Sequence, residues 1–147
     1  MGENDLKSNE ISTTRFKVGS ISFASLSILF LICLLVQVFF AGLAIFVNPV
    51  NWTKHTGFIH LFEFIPVLMF IIAFVGKLPR WAIGHSAALF SVIFVMYFTA
   101  NITPVLPWAA ALHPVIAFVL FWMSVKTLPR VWKMTFNNKQ SEEIIRE

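Results

Sequence analysis

The sequence predicts an all-α membrane protein: a transmembrane up-down-up-down four-helix bundle with both termini cytoplasmic. Three observations lead there. Of 147 residues, 58% are hydrophobic and only 12% charged, about half the charge of an ordinary soluble domain. Long stretches of the chain carry no charge, or one. Ten of the eleven Lys and Arg fall in segments that this topology places on a single side.

Between Val18 and Thr53 nothing is charged, and Ile21 to Val47 exceeds the roughly 20 apolar residues needed to cross a bilayer. This is span one, about 20–47. A signal peptide has an apolar region of only about 7–15 residues, so the segment is expected to stay in the protein. From Gly57 to Gly76 the only charge is Glu63, which gives span two, about 56–77. The 45 residues from Trp81 to Val125 include His85 but no formal charge. Asn101-Ile102-Thr103-Pro104 and Pro107 break this run with turn-forming residues, giving span three at 81–101 and span four at 106–127. Open backbone cannot face hydrocarbon, and no run alternates like a barrel strand, so the spans are helices. Their short links force antiparallel neighbours, within a membrane domain of residues 18–132.

Orientation follows the cations. Lys7, Arg15 and Lys17 precede span one, Lys77 and Arg80 join spans two and three, and Lys126, Arg130, Lys133, Lys139 and Arg146 follow span four. Only Lys54 lies on the other side. The tails, residues 1–17 and 133–147, are therefore cytoplasmic, and no chemistry is assigned to them. Trp52 and Trp108 anchor the outward loops, and the expected location is the plasma membrane. A weak repeat fits this plan: Lys77-Leu78-Pro79-Arg80-Trp81 ends span two and Thr127-Leu128-Pro129-Arg130-Val131-Trp132 ends span four, each with a helix-stopping proline. Both also read as ordinary membrane-exit sequences.

The charge of +4 is not a nucleic-acid signature, because the cations sit between and beyond apolar runs and form no basic face. One cysteine, Cys33, excludes an intrachain disulfide or a cysteine metal cage. No phosphate loop, dinucleotide fingerprint, zinc-protease helix or serine-nucleophile elbow is present, which argues against a hydrolase.

The chemistry-bearing candidates are the histidines. An ionisable group facing lipid costs at least about 2.5–3.5 kcal/mol, so such groups are expected to face inward with partners. His113 lies five residues beyond Trp108, whereas His55 and His60 lie three and eight beyond Trp52. At about 1.5 Å per residue, the two histidines of span two bracket His113 in depth. Spans two and four are diagonal in an up-down bundle, so two imidazoles could hold a flat haem from opposite faces, as axial ligands that tune its potential.

His55 and His60 are five residues apart, about 140° around a helix, and cannot both serve one iron. His60 is deeper and shares a face with Glu63 at i+3, which could hold its second nitrogen; it is favoured over His55 as the partner of His113. His55 would then cap the site, contact a propionate or relay protons. Glu63 reads equally as a carboxyl bonded near the carbonyl of Phe62, which Pro66 leaves without its i+4 donor. Gln37 is interhelical glue or a relay, and Gly42 admits a close helix or a flat ligand. The plain alternatives are that His113 satisfies backbone beside Pro114, that His55 is an interfacial residue, and that His85 snorkels. A second haem at His85 would need Met69, Met123 or Lys77.

The ordered motifs Val36-Gln37-Val38-Phe39-Phe40-Ala41-Gly42-Leu43, Asn51-Trp52 with His55 and His60, Gly76-Lys77-Leu78-Pro79-Arg80 and Leu112-His113-Pro114 resemble an uncharacterised family of small bacterial four-span membrane proteins. More distantly, the chain resembles one four-helix half of haem A synthase and related cytochrome b-type bundles. That resemblance implies a haem on the outer side, with His113 matching the fourth-span ligand and His55 or His60 the second-span ligand. The chain departs from it in having Thr56 and Leu61 where an arginine often follows the second-span histidine, which argues against synthase activity.

The leading expectation is thus an integral membrane protein binding one haem b between spans two and four near the outer leaflet, for electron transfer or haem handling. Its partners would be the lipid bilayer and a quinone or a redox partner protein. The competing expectations are a non-catalytic membrane subunit or assembly factor, and a small proton- or metal-linked transporter using His55, His60, Glu63 and His113.

Overall fold

A computed structural model describes residues 3–137, all in helices and turns. Helix α1 runs from Glu3 to Phe46, and a single 3-10 turn at Pro49–Asn51 leads into α2, Trp52–Phe62. Next come α3 (Ile65–Val75), α4 (Arg80–Asn101), the short α5 (Pro107–Ala110) and α6 (His113–Phe136). Grouped by continuity, these give four helical stretches long and apolar enough to cross a membrane: Asn9–Phe46, Pro49–Val75, Arg80–Asn101 and Pro107–Phe136.

The helices form a ring in chain order. The main neighbours of α1 are α2, α3 and α6, and those of α4 are α3 and α6. Spans two and four therefore lie diagonally, as the short links require. The end that bears the Pro49–Asn51 and Asn101–Leu106 turns is termed upper; the end with the Lys77–Pro79 turn is lower.

Three boundaries differ from the sequence reading. The N-terminal segment is not separate from span one, since α1 continues unbroken from Glu3. Pro129 does not stop span four: it lies inside α6, which continues to Phe136. The ring removes only the bond to the carbonyl four residues earlier, and Val131 and Met134 bury themselves beyond it. Span two, conversely, is two helices meeting at Glu63–Phe64. Pro66 near the start of α3 cannot donate to Phe62, so the chain turns there and resumes with Leu68 donating to Phe64 at 3.0 Å. Residues 138–147 of the C-terminal tail lie outside the described residues.

The core is uneven. In the lower and middle bundle Phe23, Phe30, Phe62, Met69 and Leu89 are fully buried, and Phe23 meets Trp81 edge-on at 6.2 Å. At the upper end, no residue from Pro107 to Val119 is buried. A close approach of two helices is also low. A Cβ on Gly19 would sit 3.0 Å from the Gly76 Cα, and one on Gly76 would sit 3.1 Å from the Gly19 Cα. Gly76 itself keeps helical angles, with φ -73° and ψ -2°, and the left-handed residue that closes α3 is Lys77, with φ 52°. Leu78 then donates to the Ala73 carbonyl at 2.9 Å, the six-to-one bond of a helix-ending turn.

Candidate functional site

The four histidines go to four different partners, and α4 sorts three of them. His55, near the start of α2, donates through Nδ1 to the Gln37 carbonyl of α1 at 3.0 Å. The Gln37 amide Nε2 returns a bond to the His55 carbonyl at 2.8 Å. This reciprocal pair ties span one to span two. The other amide atom, Gln37 Oε1, is buried without a partner.

His113 is the first residue of α6, where Pro114 loses nothing by lacking an N–H, since the first-turn donors have no intrahelical partner. Its Nδ1 reaches the Met96 carbonyl at 3.2 Å and Thr99 Oγ1 at 3.1 Å, both on α4. The Thr99 hydroxyl spends its own hydrogen on the carbonyls of Val95 or Met96, so the imidazole is the donor. A carbonyl can only accept. In the neutral ring the proton of His55 and of His113 therefore sits on Nδ1, leaving a lone pair on Nε2. Neither Nε2 has a hydrogen bond among the described residues.

His60 goes elsewhere. Its side chain is 61% exposed, with Nδ1 3.3 Å from Glu63 Oε1 and 3.1 Å from the Tyr97 hydroxyl. Tyr97 donates to the other Glu63 oxygen, and its ring stacks on His60 at 6.1 Å. Tyr97 and Thr99 are two residues apart, about 200° around a helix. Consequently His60 and His113 rest on opposite flanks of α4 and are not brought together. His55 is then the remaining imidazole of span two.

His85 does not snorkel. It is half-buried and bonded through Nε2 to Thr127 of α6, whose own hydrogen goes to the Met123 carbonyl at 2.9 Å. This is a lower interhelical clasp. The Gly42 position meets no atom within 4 Å, so no helix packs against it; the close approach expected there occurs at Gly19 and Gly76 instead. Among the described residues no group of three or more His, Cys, Asp or Glu gathers as a cation cage.

Residues 37–103 match the sequence profile of a family of unknown function, DUF6220. The matched stretch begins at Gln37 and takes in His55, His60, Glu63 and Tyr97, ending before His113. No curated protein and no solved structure matches the chain. Neither comparison supports the expected likeness to haem A synthase.

Two features were missed by sequence reasoning. Tyr97 is the only tyrosine in the chain, and a lone phenol among phenylalanines in span three was the available signal for a polar partner. Gly19 gave none, since its role depends on where span one crosses Gly76.

Proposed function

We propose that this chain is an integral membrane protein of the plasma membrane that binds one haem b near its upper end, with His55 of span two and His113 of span four as axial ligands. The observation that carries the reading is the pair of imidazoles on diagonal spans, each held through Nδ1 by a main-chain carbonyl with Nε2 left over. Ligating histidines commonly use their second nitrogen in this way, which fixes tautomer and ring orientation. The ligand assignment accordingly moves from His60 to His55.

One further observation fits a bound group: in the upper bundle no residue from Pro107 to Val119 is buried. A porphyrin supplies the equatorial donors itself, so two imidazoles suffice where a bare cation would need more. A haem held this way supplies one-electron chemistry, in electron transfer or haem handling. The chain's part is to hold both imidazoles in a single tautomer through Gln37, Met96 and Thr99, and to keep the site within the bundle. By the distribution of cations, both termini face the cytoplasm and the upper end faces outward.

A reduced-minus-oxidised difference spectrum of membranes overexpressing the protein tests the reading. A Soret band and reduced α-band are expected, lost in His55→Ala and His113→Ala and retained in His60→Ala. A colourless protein from haem-replete cells would overturn it in favour of a non-catalytic subunit; bound zinc or copper would point to a metal-linked transporter.

A further inference from the structure

The His60–Glu63–Tyr97 cluster lies apart from the proposed haem site, on the other flank of α4, and stands on its own geometry. It sits where Pro66 breaks span two, and the bend opens a slot between the start of α3 and the middle of α4. The slot has a volume of about 180 Å³ and is walled by Phe64, Phe90 and Phe94, with Glu63 and Tyr97 in its lining. Those three phenylalanines are exposed on the outer surface of the bundle, the surface that meets lipid in a spanning protein. Ligand sites for drug-sized molecules measure roughly 300–1,000 Å³, so the slot suits a single headgroup and not a whole lipid.

The hydrogen-bond inventory says what that headgroup must offer. The Tyr97 hydrogen goes to Glu63, and His60 Nδ1 lies against Glu63 and Tyr97. With Nδ1 donating to the carboxylate, the unused positions are the His60 Nε2 lone pair and the remaining lone pairs of Glu63, all acceptors. A carbonyl headgroup finds no free donor here, whereas a hydroxyl finds acceptors. Depth narrows the choice further. Glu63 is eleven residues beyond Trp52, about 16 Å along the helices and so near the middle of a hydrocarbon core roughly 30 Å thick. A hydrated cation reaches that depth from lipid only at high cost, but a neutral aromatic amphiphile dissolves there.

We infer that this slot is a lipid-accessible binding site for the reduced, hydroxyl-bearing form of a membrane quinone, with Glu63 accepting a quinol hydroxyl, His60 and Tyr97 positioning the carboxylate, and Phe64, Phe90 and Phe94 covering the ring.

The test is equilibrium titration of the purified, haem-free full chain in detergent, under anaerobic conditions, with three probes: a short-chain benzoquinol, its quinone and a short-chain diacylglycerol. Haem-free protein keeps the result independent of the haem reading. The quinol is expected to bind at least about tenfold more tightly than the quinone, the worth of one charge-assisted hydrogen bond, and more tightly than the glyceride, whose hydroxyl can also reach Glu63 but which has no ring for the phenylalanines to cover. Glu63→Gln, whose amide also donates, should abolish that preference by weakening quinol binding and strengthening quinone binding. If Glu63→Gln fails to fold by circular dichroism, Tyr97→Phe keeps the ring, removes the hydroxyl and should narrow the preference. Equal affinity for all three probes, tighter binding of the glyceride, or a preference unchanged in the folded variant would overturn the inference.

Discussion

Replacing Gly19 by alanine tests the packing that sets the bundle's geometry. The added Cβ would lie 3.0 Å from the Gly76 Cα, tighter than most Cβ contacts, so α1 and α3 must give way by a few tenths of an ångström. Overpacking of this kind costs about 1–3 kcal/mol, offset by about 0.5–1 kcal/mol because alanine is the better helix residue. The net expectation is a loss of about 1 kcal/mol, within a span of about 0–2.5 kcal/mol. Gly57→Ala is the matched control: its Cβ meets nothing within 4 Å, so only the helix gain of about 0.5–1 kcal/mol remains. Reversible unfolding in mixed micelles, followed by circular dichroism, measures both. Gly19→Ala should be less stable than the parent and Gly57→Ala at least as stable. If Gly19→Ala equals or exceeds the parent, the close crossing at Gly76 is not part of the native bundle.

Other outcomes follow from the same geometry. Thr127→Val removes the partner of His85 across α4 and α6 and should cost about 0.6–1.7 kcal/mol of stability, the range for interhelical hydrogen bonds in membranes, without altering any haem spectrum. Lys77→Gly relieves a side chain at φ 52° and should stabilise the folded state by about 1 kcal/mol in the same unfolding assay. Gln37→Leu deletes the bond to the His55 carbonyl but leaves the Gln37 main-chain acceptor in place; haem should still bind, with faster loss to an apoprotein acceptor than from the parent.

The spans were legible because hydrocarbon forbids charge over their length, a constraint that each segment carries by itself. The break at Glu63–Phe64 had a signal in the donor that Pro66 lacks, but span two was read as one helix. The faces were harder. A spacing of five residues shows that His55 and His60 diverge, but which one turns inward depends on how span two rotates against Gln37 and Tyr97, and both lie far away in sequence. Pro129 misled because a proline near a span end resembles a stop, yet the buried side chains of Val131 and Met134 hold the helix through it. The contact between His60 and Glu63 follows from their i+3 spacing, whereas Tyr97 joins them from 34 residues beyond Glu63, a separation that no local pattern reports.

The most direct test of the central claim is low-temperature electron paramagnetic resonance of the oxidised protein purified from haem-replete cells, comparing the parent with His55→Ala, His60→Ala and His113→Ala. The account predicts a low-spin signal typical of two imidazole ligands in the parent and in His60→Ala, and its loss in the other two. The same signal surviving in His55→Ala, or no haem signal in the parent, would contradict it.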